Sequence, residues 1–170
     1  MNEFLETNQR DIYAAGDVAN YYDVLFDKHR RAEHWDNAVS QGQHCARALL
    51  GERAPFVHVP YFFSDVFDLS YEFWGDISGA DEVIERGDVA SSSFSVWWLR
   101  QKRLVAAFTM NRPEEEREAA PRLIQSKQAI AGRDAAVSAF DAAPNSVRVS
   151  TGCDSARRSE GRDDPRFALR

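Results

Sequence analysis

Cysteine is scarce in this sequence: Cys45 and Cys153 are the two in 170 residues, too far apart and too few to form a disulfide framework or a dithiol centre. Glycine occurs nine times with no two spaced as G-x-G, so neither a dinucleotide fingerprint nor a P-loop is encoded. Histidine is limited to His29, His34, His44 and His58, without zinc spacing and without an accompanying Cys pair, which argues against a metal site. No apolar run approaches the roughly 18 residues of a membrane span, and Met1 to Leu5 carries neither the basic nor the apolar region of a signal peptide. That points to a soluble, cytoplasmic chain with no membrane association. Positive charge is in deficit, 21 Lys and Arg against 27 Asp and Glu for a net −6, so a general phosphate-binding surface and a nucleic-acid partner are disfavoured. What remains is ordinary globular composition, 44% hydrophobic and 12% aromatic, in a chain long enough to bury a core unaided.

The aromatics are unevenly spread. All four Trp and all five Tyr precede residue 100, and after Phe108 only Phe140 and Phe167 remain. From about residue 141 the chain is rich in Arg, Asp, Ser and Ala, too poor in apolar groups to offset its ordering entropy. Residues 131–170 are therefore expected to form a disordered tail.

Ahead of the tail the periodicity changes several times. Asp11-Ile12-Tyr13-Ala14-Ala15 reads as a short buried strand feeding a tight turn at Gly16-Asp17. From Asp36 to Leu50, closed by Gly51, a small-residue stripe of Ala38, Gly42, Cys45, Ala46 and Leu49 predicts a helix with a close neighbour. After Pro55 the pattern turns to β: Tyr61 to Phe63, Leu69 to Gly75, Glu82 to Arg86, Ser93 to Leu99 and Leu104 to Met110, with Arg100 to Arg103 as a hairpin link. Glu114 to Ala131 predicts a second helix with acidic residues in its first turn, which Pro121 is positioned to split.

Self-contained catalytic motifs are missing. Cys45 on the small-residue face is a packed thiol, and pairs such as His34 with Asp36 or Ser64 with Asp65 arise by chance at this length. The informative stretch runs from Thr7 through Asp11-Ile12-Tyr13-Ala14-Ala15-Gly16-Asp17-Val18. It resembles the second flavin motif of the FAD-dependent pyridine-nucleotide oxidoreductases. The resemblance implies that the Asp17 carboxylate accepts from the ribityl hydroxyls, that Gly16 admits the cofactor's close approach, and that Val18 lines it. Gly-Asp by itself is an ordinary turn, and the full match is what carries the inference.

Two further matches follow. Arg31-Ala32-Glu33-His34-Trp35-Asp36-Asn37-Ala38-Val39-Ser40-Gln41-Gly42 resembles the helix start of the ferredoxin-reductase and apoptosis-inducing-factor branch, where free N–H groups and a positive helix end face the flavin ring. Trp35 falls where relatives place an aromatic beside the isoalloxazine, with a core aromatic as the alternative, and His34 beside it is a further cofactor-binding candidate, with a plain helix-end residue as the alternative. Val59 to Gly75 is similar to the opening of the interface domain of that branch, whose first loop nears the flavin. Phe63, with its neighbours Phe62 to Asp65, is accordingly a candidate for the far side of the site, plain core packing being the alternative.

The implied fold is α+β: the closing segment of an FAD-binding α/β domain over 1–53, then an antiparallel-sheet interface domain with a flanking helix over 54–130. The implied activity is electron transfer from NAD(P)H through FAD to a ferredoxin, rubredoxin or similar small redox partner, with a dehydroascorbate-type substrate as a variant. The G-x-G-x-x-G of the FAD half and the nicotinamide domain are not in this sequence, so the chain is expected to be a fragment without a complete active site, whose partners are the upstream FAD and NAD domains. The alternative, from another class, is a non-catalytic binding or dimerisation module. Exposed apolar surface on the remnant predicts self-association.

Overall fold

The computed structural model describes residues 1–130 and, beyond them, the backbone of one strand at residues 148–150. Five alternating segments form β3 (Tyr61–Val66), β4 (Leu69–Gly75), β5 (Glu82–Asp88), β6 (Ser93–Arg100) and β7 (Arg103–Met110), after β1 (Tyr21–Asp23) and β2 (Lys28–Arg30) have paired as a separate hairpin. With β8 (Arg148–Ser150) the main sheet has the order β3-β4-β7-β6-β5-β8, antiparallel throughout. β8 falls within the stretch expected to be disordered; it adds a strand to the free edge of β5, and the rest of 131–170 lies outside the described residues. The predicted β6–β7 link is present, with Gln101 and Lys102 at φ 52° and 62°, the left-handed pair that matches a hairpin turn to strand twist.

Strand periodicity gives the sheet two different faces. One carries Tyr61, Phe63, Glu72, Trp74, Ile84, Arg86, Ser95, Trp97, Ala107 and Thr109, and α2 (Glu114–Ser126) lies over it through Ala120 and Ile124. Trp97 is fully buried there. Beneath α2 runs a polar seam: Glu116 accepts from Ser95 Oγ at 2.6 Å, Arg112 Nε at 2.7 Å and Arg86 Nη1 at 3.3 Å, while Glu72 accepts from Tyr61 at 2.7 Å and pairs with Arg117. α2 continues through Pro121, so the expected split is absent; sheet packing on both sides of the proline outweighs one missing amide donor.

The other face is aromatic and half-buried: Phe62, Tyr71, Phe73, Phe94, Trp98 and Phe108. Their rings form a continuous set, Phe62–Phe73 at 5.1 Å, Tyr71–Phe108 at 5.7 Å and Phe73–Trp98 at 6.0 Å between centroids. No helix among the described residues covers it as α2 covers its opposite.

The first sixty residues are tied to this sheet at two places. Leu25 and Phe26, in the β1–β2 turn, enter the core under the sheet. The turn is held by buried Asp23, whose Oδ1 accepts from the Leu25 and Phe26 amides at 2.8 and 3.3 Å; burial still pushes its carboxyl above the usual range. Across from it, Asp76 at the end of β4 pairs with Lys28 and Arg30 of β2. Burial opposes its ionisation, but bonds from Lys28 and Ser78 and the charge of Arg30 outweigh that, and its pKa falls from 3.8 to about 2. A depressed carboxylate contributes stability above its unfolded pKa and loses it as pH falls through the folded one. The stability difference between this protein and Asp76→Asn should therefore be about 2 kcal/mol near neutrality and vanish between about pH 4 and 2, as urea unfolding across that window would register. A pH-independent difference would contradict the assignment.

α1 (Trp35–Leu49) ends as expected, with Gly51 at φ 97° just past it. Its buried face shares only Cys45 with the small stripe, whose Ala38 is half-buried. Gly42, Ala46 and Leu49 are exposed, and Asn37, Gln41, His44 and Cys45 point inward. The segment 11–15 is not a strand among the described residues. Its backbone makes one bridge, Tyr13 with Glu6, and bonds from Ala14 N–H to the Leu5 carbonyl and from Thr7 N–H to the Ile12 carbonyl, and Ile12 is 54% exposed. An apolar run becomes a strand only beside another strand, and none lies there.

Candidate functional site

The extended segment 14–16 runs along the inner face of α1. Cys45 Sγ lies 3.9 Å from the Ala14 carbonyl, and Gln41 Oε1 accepts from the Gly16 amide at 2.8 Å. The spacing is natural: four residues of helix rise about 6 Å, close to the advance of two extended residues. Gly16 then turns at φ 81°, and its carbonyl accepts from the Ala19 amide at 2.9 Å, leaving Asp17 and Val18 at the turn's exposed tip. A Cβ at Gly16 would meet Ala38 at 3.6 Å, an ordinary contact, so it is the backbone angle rather than space that requires glycine.

Gly16 thus packs beside Ala38, one turn into α1, and the Asp17 turn is set against the helix start. His34 is the N-cap residue but gives no side-chain cap, so the first-turn amides have no side-chain acceptor from it. Asp36 in that turn is engaged instead by His58, Oδ2 to Nε2 at 2.6 Å. Trp35 projects 78% exposed, and Val18 is 75% exposed. His34 stacks on Phe62 with centroids 4.9 Å apart, which docks the helix start onto the edge of the aromatic face.

Of the residues singled out from the sequence, Gly16, Asp17, Val18, His34 and Trp35 are brought to one end of α1. Phe63 is not among them. Adjacent strand residues face opposite ways, and Phe63 stacks at 5.8 Å on Tyr61 on the α2 side, 57% exposed, while Phe62 meets His34. Gln41 and Asn37, buried and polar, were not singled out from the sequence; Gln41 holds the Gly16 amide and Asn37 the Ala32 carbonyl. A polar pair four apart in an otherwise amphipathic helix is the signal that could have revealed them.

A separate cleft of about 350 Å³ opens on another flank of α1, lined by Ser40, His44, Arg47, Phe56 and His58 among others; none of Gly16, Asp17, Val18, Trp35 or Phe63 lines it. Burial, with the nearby Arg47 charge, holds His44 below its usual pKa. Among the described residues no cluster of three or more His, Cys, Asp or Glu could hold a metal, and no helix is long and apolar enough to cross a membrane.

Residues 61–144 match the family model described as reductase C-terminal. Over that span the chain carries a reductase C-terminal domain, and it is similar to ferredoxin reductases and monodehydroascorbate reductases. It is 35% identical over 133 residues to putidaredoxin reductase CamA of Pseudomonas putida, covering 78% of this chain and 30% of that protein. To monodehydroascorbate reductase of Pisum sativum it is 32% identical over 136 residues, 76% of this chain and 31% of the relative. Among solved structures it superimposes on the covalent putidaredoxin reductase–putidaredoxin complex with a TM-score of 0.71 at 32% identity, over 76% of this chain and 31% of that one. The chain thus spans about 30% of the length of the oxidoreductases it matches. The reductase C-terminal match also runs on to residue 144, past the boundary drawn at 130 from composition.

FAD is the cofactor that the resemblance implies, and the residues present suit one end of it. The Asp17 carboxylate is exposed and acceptor-only, suited to polyol hydroxyls; the Gly16 turn admits a close approach; and the α1 start offers amide donors beside it. The chain has no G-x-G to cradle the pyrophosphate.

Proposed function

We propose that this chain supplies one wall of the flavin site of an NAD(P)H-dependent reductase that delivers electrons to a small redox protein such as a ferredoxin or rubredoxin. When bound, FAD would supply the hydride and electron chemistry. The chain's own residues bind and orient: Asp17 accepts from the ribityl hydroxyls, the α1 amides favour negative charge on the ring, and Trp35 covers the ring's flank. The observation that supports the reading is the packing of Gly16 against Ala38 and Gln41 of α1, the helix whose first residue is the exposed Trp35. The half-buried aromatic sheet face, continuous with that end through His34 and Phe62, supports contact with the upstream FAD and NAD domains. Phe62 replaces Phe63 as the β3 residue nearest the site. The putidaredoxin complex among the structural relatives supports a small redox protein as acceptor. The edge of β3, unpaired among the described residues, and the exposed Ile12 support self-association of the isolated chain.

Without residues for the pyrophosphate, the isolated chain should bind FAD only weakly. Titration followed by flavin fluorescence and Trp emission is expected to give no saturation in the micromolar range; stoichiometric micromolar binding would overturn the one-wall reading.

A further inference from the structure

We propose that Gln41 is a positioning residue that fixes the Gly16–Ala19 turn against α1 and so presents Asp17 to the flavin; the proposal rests on the reading of Asp17 given above. Gln41 is fully buried, and its Oε1 takes the Gly16 amide proton from 25 residues away. That amide begins a turn whose other end is closed by the Ala19 amide on the Gly16 carbonyl, so one side-chain oxygen sets the orientation of the whole loop. Among the described residues Gln41 Nε2 has no protein partner and is also buried. An amide whose nitrogen goes unmatched is a poor filler for an apolar interface, and it is the acceptor oxygen that accounts for a glutamine here. One turn earlier, Asn37 Nδ2 donates to the Ala32 carbonyl at 3.1 Å, fixing the chain just before His34 and Trp35. The same face of α1 therefore clamps both segments that reach the site, through hydrogen bonds to Gly16 and Ala32.

The test uses the chain itself, labelled with ¹⁵N, and three forms of it: the natural residue, Gln41→Met, which keeps volume and loses the acceptor, and Gln41→Glu, which keeps an acceptor oxygen in either protonation state. Amide exchange at Gly16 should quicken about tenfold or more in Gln41→Met and stay near the natural rate in Gln41→Glu, with sheet amides such as Ala107 unchanged as a check on folding. With FAD added at millimolar concentration, shifts at Asp17, Val18 and Trp35 should appear in the natural and Glu forms and be lost in the Met form. Equal exchange and equal shifts in the Met and natural forms would overturn the proposal, as would a Glu form as impaired as the Met form. Shifts absent at Asp17 in the natural chain, with Gly16 still protected, would instead overturn the flavin reading beneath it, leaving Gln41 as the holder of the turn alone.

Discussion

Asp17→Ala, in a protein where this chain is joined to the upstream domains of a relative such as putidaredoxin reductase, is expected to weaken FAD retention by about 1.5–3 kcal/mol, roughly ten- to 150-fold. The turn that carries Asp17 is tied by its backbone, through Gly16 to Gln41 and Ala19, so removing the carboxylate leaves the loop in place and subtracts only the acceptor. Flavin absorbance before and after dialysis measures the loss. Asp17→Asn should fall between, since it keeps an oxygen acceptor without the charge. Retention equal to that of the natural residue in both variants would detach Asp17 from the cofactor.

A second large effect belongs to stability. Glu116 is buried under α2 and is the shared acceptor for Ser95, Arg112 and Arg86, the last of which is 5% exposed and lies over the Trp97 ring at 5.3 Å. Taking away the carboxylate removes the buried acceptor that Ser95, Arg112 and Arg86 share. Glu116→Ala should cost about 3–5 kcal/mol, read as a drop in the urea midpoint at unchanged m-value. Replacement of an exposed helix glutamate, Glu118→Ala, should cost less than about 0.5 kcal/mol. Similar costs for the two would mean that the seam under α2 does not bear on stability.

The sheet was the legible part of this fold because β3 to β7 are six to eight residues long and rich in aromatic and β-branched residues, and the β6–β7 turn is short and polar. The ends of α1 were legible for a similar reason, Gly51 marking one and the acidic Asp36 the other. Four things were not legible. A helix with small residues in one stripe and Asn37, Gln41 and His44 in another invites the small stripe as its packing face, but inward amides bonded to backbone can displace it. The run at 11–15 has strand composition, and strand formation depends on a neighbour that composition does not report. Phe62 and Phe63 are chemically equal and adjacent, so the sequence locates the pair and only register decides which one faces the site. The β1–β2 hairpin, three residues to a strand and closed by a buried aspartate, is below the length at which alternation can be read.

The central claim, that the turn at Gly16 and the start of α1 form one flavin-facing surface, is tested most directly by photolabelling the chain with an azidoflavin analogue of FAD and mapping the adducts by peptide mass spectrometry. Such labelling captures weak binding, which suits a partial site. The account predicts adducts concentrated on residues 16–18, on His34 and Trp35 and on Phe62, suppressed by excess FAD. Adducts confined to the cleft between Ser40 and His58, or spread evenly along the chain and indifferent to FAD, would contradict it.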